Sequence, residues 1–290
     1  MVTSREEKMR EVQDEINREE RKKIIIKKTI FFIKLFLIIF IVLFSIYFYI
    51  TRIATHSIIV KEIRISDRDI PRDFDSYKVI YFSDLYFNKD NKDDLNNLVI
   101  EINKRKPDLV LFSSKLLKGS ISNKDKEYLI NSLNSIDTTS GKYALSNDDN
   151  EKNILMQSGF TILDNNTTLV YRNTSTPLVL SGLNDVNTFN DLYNGLNNGG
   201  YNILLLNNPD DVYNSYYRAN LILAGKSLNG EICLTKDKCL YKEDGAKKFF
   251  KEHYKVKNKD LYISSGIGTN KYSFRFNARP SIYFFRLASK

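Results

Sequence analysis

Residues Ile30 to Ile50 form an apolar run broken only by Lys34 and Ser45. As a helix rising about 1.5 Å per residue it reaches roughly 30 Å, enough to cross the hydrocarbon core of a bilayer. Lys34 lies near the start, where a long side chain can snorkel to the headgroups, and Tyr47 and Tyr49 suit the opposite interface. A buried core helix is the competing reading, and the length of the run and its apolarity on every face weigh against it. A signal peptide would carry a shorter apolar core and a small-residue cleavage site, and Ser45-Ile-Tyr-Phe-Tyr-Ile-Thr51 offers none. The run therefore reads as an uncleaved signal-anchor.

Arg21, Lys22, Lys23, Lys27 and Lys28 precede the run, whereas Arg52 is the only basic residue in the ten positions after it. The positive-inside rule then predicts a single-pass protein of the cell membrane, with a cytoplasmic N-terminus and an extracellular C-terminal domain. The expected division is a charged tail over 1–29, the span over 30–50, a juxtamembrane connector over 51–61 and a folded domain over 62–290. Acids and bases alternate at helical spacing in the tail, with Met9, Val12 and Ile16 as a short apolar stripe. That stripe continues the helix inward but is too short for a coiled coil. The bilayer, met through residues 30–50, is the first expected partner. Nucleic acid is not one, because the net charge of +9 is dispersed and no recognition motif accompanies it.

The folded part is constrained by what it lacks. With 42% hydrophobic residues the chain can build a core, yet it holds two histidines and two cysteines in 290 residues. A histidine-rich dinuclear centre and a four-cysteine zinc site both need more imidazoles or thiolates than that. His56 and His253 read as ordinary surface histidines. Cys233 and Cys239 lie in what reads as a hairpin, Glu231 to Tyr241. Either a disulfide staples this short turn, for little entropic gain, or the two thiols remain unpaired.

Tyr77 to Ser83, Asp108 to Ser113 and Ile203 to Leu206 are short apolar runs ending in polar clusters, the pattern of buried strands. Leu95, Leu98, Val99 and Ile102 recur at helical spacing between the first two, which makes a βαβ unit. Further strands are expected at Lys142 to Leu145, Thr168 to Arg172, Leu178 to Gly182, Asn220 to Ala224, Leu261 to Ser264 and Ile282 to Arg286. No Gly/Ser linker or internal repeat interrupts them, so one α/β domain is predicted. In open α/β sheets ligands bind beyond the carboxyl ends of the strands, which directs attention to the residues that follow each one.

In order these are Ser83-Asp-Leu-Tyr86, Lys106-Pro-Asp-Leu-Val-Leu-Phe-Ser-Ser-Lys-Leu116, Tyr143-Ala-Leu-Ser-Asn-Asp-Asp149, Leu206-Asn-Asn-Pro-Asp210 and Leu223-Ala-Gly-Lys-Ser-Leu-Asn-Gly-Glu-Ile232. Their order and spacing resemble the calcineurin-like metallophosphoesterases, especially the bacterial membrane-anchored branch. Ile162-Leu-Asp-Asn165, Gly182-Leu-Asn-Asp185, Leu261-Tyr-Ile-Ser-Ser-Gly-Ile-Gly-Thr269 and Arg275-Phe-Asn-Ala-Arg-Pro280 extend the resemblance over roughly residues 62 to 289. It implies a two-sheet calcineurin-like phosphoesterase sandwich flanked by helices, here preceded by one transmembrane helix.

Active members of that family are understood to hold two metal ions on Asp, His and Asn ligands and to attack a phosphoester with metal-activated water. Against their pattern Asp84 and Asn147 match as remnant metal ligands. Tyr86 stands for a histidine, and Ser114-Lys115 for the Gly-Asp whose carboxylate bridges the metals. Asp148 occupies the position of the catalytic histidine, and Asn207 that of another. Gly225-Lys-Ser-Leu228 replaces Gly-His-Thr-His, so Lys226 and Leu228 complete the set of degenerate positions. No residue is assigned a catalytic role. An ammonium cannot ligate while protonated and repels cations, so Lys115 is expected to take the metal's electrostatic place by pairing with Asp84.

Three functional expectations follow. The first is a catalytically inactive phosphoesterase-like domain with a binding or scaffolding role at the outer cell surface, needing no cofactor, its pocket lysines suiting an anionic ligand such as a phosphorylated headgroup or wall polymer. The second is a hydrolase with a rearranged oxygen site from Asp84, Asn147, Asp148 and Asn207, holding a weakly bound Mg, Mn or Ca ion. The third is a folded mass on an anchor that meets a protein partner elsewhere on its surface.

Overall fold

The computed structural model describes residues 3–290 apart from 174, 190–191, 193–199, 216–217 and 236–237. It forms two compact units, the first ending at Tyr49 and the second spanning Ile50–Lys290.

The first unit is a single helix, α1 (Thr3–Phe48), the one helix among the described residues long and apolar enough to cross a membrane. Its polar side chains near the apolar stretch look after themselves: Thr29 Oγ1 donates to Ile25 O at 3.0 Å and Ser45 Oγ to Ile41 O at 2.8 Å. Such back-bonding leaves no hydroxyl unsatisfied in an apolar surrounding.

In the second unit, β1 (Ile59–Asp67), β2 (Lys78–Ser83), β3 (Leu109–Ser113), β4 (Lys142–Leu145) and β5 (Phe160–Ile162) are interleaved with α2 (Lys92–Asn103), α3 (Asn123–Asn134) and α4 (Asp149–Gln157). Then follow β6 (Asn166–Val170), β7 (Leu178–Leu183), β8 (Tyr201–Leu206), the short α5 (Val212–Ser215), β9 (Leu221–Ala224), β10 (His253–Val256), β11 (Lys259–Ile263) and β12 (Ser281–Ser289). The strands form two six-stranded mixed sheets, in the orders β1-β12-β2-β3-β4-β5 and β10-β11-β9-β8-β7-β6. This is an α/β sandwich, and β1, β5 and β10 are additions to the strands expected from sequence.

Strand alternation divides the apolar residues among three layers. Val79, Tyr81, Leu109 and Leu111 from the first sheet meet Leu180, Ile203, Leu205 and Leu223 from the second in the central layer. Ile80, Phe82, Val110 and Phe112 turn outward against Leu95, Leu98, Leu129, Leu133 and Leu155 of the helices. Leu204, Leu206 and Ile222 face a smaller cluster with Val212 and Phe249. Because both faces are covered, the central strands read as unbroken apolar runs rather than alternating ones.

Candidate functional site

The parallel strands end in register. Ser83 lies opposite Ser113, Ser113 opposite Leu145, and in the second sheet Leu206 lies opposite Ala224. The residues that follow converge on a cavity of about 180 Å³, lined from one sheet by Asp84, Tyr86, Ser114, Lys115 and Asn147 and from the other by Asn207, Asn208 and Lys226.

The backbone turns sharply to bring them there. Asp84, Tyr86, Ser114, Lys226 and Leu228 all have φ between 43° and 71°, the left-handed region that costs a non-glycine residue on the order of 1 kcal/mol. Main-chain bonds hold Asp84 in place: its carbonyl accepts from the amides of Ile267 and Gly268, each at 3.0 Å, and its amide donates to Ser113 O at 3.3 Å. Gly225 is required by proximity, since a Cβ there would lie 2.6 Å from Ser114 Oγ and 2.9 Å from Asp84 Oδ2.

Asp84 is fully buried, and burial pushes its carboxyl up to about 6. Ser83 Oγ at 2.5 Å and the Lys226 amide at 2.6 Å, both donating to Oδ2, oppose that shift, as does the more distant Arg275. The Lys115 main chain opposes it too, and Oδ1 is buried with no partner at hydrogen-bond geometry among the described residues. Tyr86 is also buried, and desolvation together with the Asp84 charge pushes its phenol far above the ordinary value, so it stands as a neutral hydroxyl.

Lys115 does not pair with Asp84. Its Nζ sits 3.2 Å from Asp148 Oδ2 and 3.2 Å from Glu151 Oε1. The reason is local: Glu151 is a 1% exposed carboxylate in the first turn of α4, held by Leu117 N–H and Ser146 Oγ at 3.1 Å each, and the nearby ammonium compensates its charge. Burial lowers the Lys115 pKa, and the Glu151 charge with the two hydrogen bonds outweighs it, for a net rise.

Asp148 has an architectural task as the N-cap of α4. Its Oδ1 accepts from the amides of Asn150 and Glu151 at 3.1 Å each, and the Glu151 bond leads in holding its carboxyl below the ordinary value. Asp148 does not line the cavity. Asn207 is committed as well, its Oδ1 accepting from Ser114 N at 3.0 Å and its Nδ2 donating to Asn184 Oδ1. Asn147 is exposed at the cavity rim. Lys226 Nζ donates to Asn208 Oδ1 at 2.8 Å. Leu228 is buried away from the cavity wall.

Behind the site, Arg275 is fully buried and donates to the carbonyls of Gly268, Ser265 and Ala278, so it pins the loop whose amides hold Asp84. Burial brings its guanidinium down to about 10. The histidines lie elsewhere: His56 Nδ1 meets Asp94 at 2.9 Å, and His253 Nε2 meets Asp260 at 2.8 Å. Cys233 and Cys239 form a disulfide outside the cavity. Asn208, Asn184 and Arg275 stand in segments that carry the resemblance but had no role assigned from sequence, and Glu151 carried no signal at all.

The cavity does not fit a dinuclear metal centre. Asp84 is its single carboxylate, two lysines line it, and the oxygen of Asn207 is already used. Among the described residues no three His, Cys, Asp or Glu side chains converge where they could hold an ion.

No family model matches the chain. A protein named uncharacterized metallophosphoesterase YkuE, from Bacillus subtilis, is 26% identical over 257 residues, which cover 84% of this chain and 90% of that protein. The crystal structure of TT1561 from Thermus thermophilus superposes with a TM-score of 0.43 at 7% identity, over 66% of this chain and 90% of that one. The resemblance to the protein named a metallophosphoesterase thus runs along most of both chains.

Proposed function

We propose that the chain is a membrane-anchored, catalytically inactive metallophosphoesterase-like protein, a pseudoenzyme with a binding or scaffolding role at the outer cell surface. The observation that carries this reading is the cavity lining: a single carboxylate, and two ammoniums where the family pattern calls for ligands. A resident metal would supply activated water and charge neutralisation. On this reading the chain holds none, and the cavity is a binding surface.

For an anionic ligand the two lysines are unequal. Lys115 is spent on two carboxylates, whereas Lys226 Nζ meets an amide oxygen and keeps its charge for a ligand. The competing hydrolase reading draws support from Asp84 Oδ1, a buried acceptor that a Mg, Mn or Ca ion would satisfy. Of its other named ligands, Asn147 lines the cavity, whereas Asp148 and Asn207 already serve the cap and the Ser114 amide.

The deciding experiment uses the full chain in detergent, assayed for bound metal and for hydrolysis of a generic phosphodiester with added Mn²⁺. Substoichiometric metal and turnover no greater than that of Asp84→Ala are expected. Stoichiometric metal with turnover abolished by Asp84→Ala would overturn the proposal. For topology, the basic cluster before Ile30 supports a cytoplasmic N-terminus. Protease added to intact protoplasts should then degrade residues beyond the span and leave the tail intact.

A further inference from the structure

The hairpin around the disulfide presents an apolar face. Cys233 and Cys239 are directly opposed in an antiparallel bridge, with Leu234 N–H donating to Lys238 O at 2.8 Å and Leu240 N–H to Ile232 O at 2.9 Å. Side chains alternate along paired strands, so Leu234, Lys238 and Leu240 share the face opposite the two sulfurs. Leu234 is 66% exposed and Leu240 61% exposed.

The root of this hairpin is fixed beside the point where the apolar run ends. Ile50 is the last residue of that run, and its carbonyl accepts from Thr55 Oγ1 at 2.8 Å. Thr55 Oγ1 in turn accepts from the Arg275 amide at 2.9 Å. The next residue, Phe276, bridges to Ile232, and its carbonyl accepts from the Cys233 amide at 2.9 Å. The two leucines are thus one residue beyond a hydrogen-bonded path that begins at Ile50, the first residue of the second unit.

We propose that this hairpin is a second membrane contact, with Leu234 and Leu240 entering the interfacial layer of the bilayer and Lys238 meeting anionic headgroups. The proposal rests on reading residues 30–50 as a membrane span. Apolar side chains at the acyl boundary flanked by a lysine at headgroup level are the composition of an interfacial anchor. Lys271, whose ammonium lies 4.2 Å over the Tyr241 ring, adds a second positive charge beside Leu240. The disulfide ties the two arms of the hairpin together at Cys233 and Cys239.

The chain contains no tryptophan, so each introduced indole reports from one position. The full chain is reconstituted into phosphatidylglycerol or phosphatidylcholine vesicles containing brominated lipid, as Leu234→Trp, Leu240→Trp, Phe40→Trp within the run, and Met156→Trp on α4. The hairpin indoles should blue-shift and be quenched roughly twofold by lipid brominated near the headgroup, more strongly in phosphatidylglycerol. Met156→Trp should be unaffected, and Phe40→Trp should be quenched by deep bromines. Hairpin indoles that behave like Met156→Trp while Phe40→Trp is quenched overturn the proposal and leave the anchor intact. An unquenched Phe40→Trp removes the anchor reading and this proposal with it. Both leucines are exposed, so neither substitution removes core packing.

Discussion

Lys226 meets Asp84 through its main chain: the amide donates to Oδ2 at 2.6 Å, while the ammonium turns to Asn208 Oδ1 at 2.8 Å. The bond that steadies the buried carboxylate is therefore independent of the lysine side chain. In Lys226→Met the Asp84 carboxyl should still titrate near 6, whereas Ser83→Ala, which removes a side-chain donor, should raise it further. Carbon-detected NMR of the carboxyl group distinguishes the two.

The raised carboxyl makes stability depend on pH in a stated direction. Below about pH 4 Asp84 is neutral folded and unfolded. Between about 4 and 6 the folded state keeps a proton that the unfolded chain has released, so stability falls as pH rises, and above about 6 the loss is constant. Its size is on the order of 3 kcal/mol. Asp84→Asn should flatten this slope and be at least as stable as the parent at pH 7, as read from urea melts at both ends of the window. A parent whose stability does not change through the window relative to Asp84→Asn would contradict the assignment.

Gly225→Ala should destabilise the second unit by about 1–3 kcal/mol, the usual cost of overpacking. Its Cβ would press on Ser114 Oγ, Ser83 Cβ and Asp84 Oδ2, none of which sits at the end of a long flexible side chain. Chemical denaturation checks the loss, and a variant as stable as the parent would show that this corner has room to relax.

Glu151 and Lys115 should behave unequally when truncated. Glu151→Ala strips partners from the Leu117 amide, the Ser146 hydroxyl and the Lys115 ammonium, a loss of roughly 3 kcal/mol. The Lys115 side chain is 41% exposed, so solvent screens its contribution and Lys115→Met should cost only about 1 kcal/mol. In a double-mutant cycle the two should be non-additive.

Reduction of Cys233–Cys239, or replacement of both by serine, should lower stability by about 2 kcal/mol, the scale for a loop this short. Melting with and without reductant measures it, and the Cys233→Ser/Cys239→Ser variant should no longer respond to reductant.

The sequence revealed most where burial was complete. Strands such as Val79 to Phe82 and Ile203 to Leu206 have both faces covered and announce themselves as apolar runs. Helix α3 did not, because Asn123–Asn134 buries only Leu129 and Leu133 and reads as polar. Strand β1 alternates apolar and charged residues at low burial and passes for a connector. The cavity-lining positions were legible as strand ends, but their partners were not. Which carboxylate Lys115 reaches depends on where α4 begins, and Asp148 fixes that by capping the helix. Arg275 was visible as a motif residue, yet nothing in its neighbours shows that its guanidinium ends on carbonyls beneath a residue 191 positions earlier.

Strand β12 sits between β1 and β2, and β1 has no other neighbour in its sheet. The first strand made after the apolar helix thus waits for a nine-residue strand made more than two hundred residues later. Until β12 has been synthesised and delivered, β1 keeps a bare edge and the first sheet cannot close. Completion of the first sheet is thereby tied to the last strand of the chain, so the domain matures only after β12 has been synthesised.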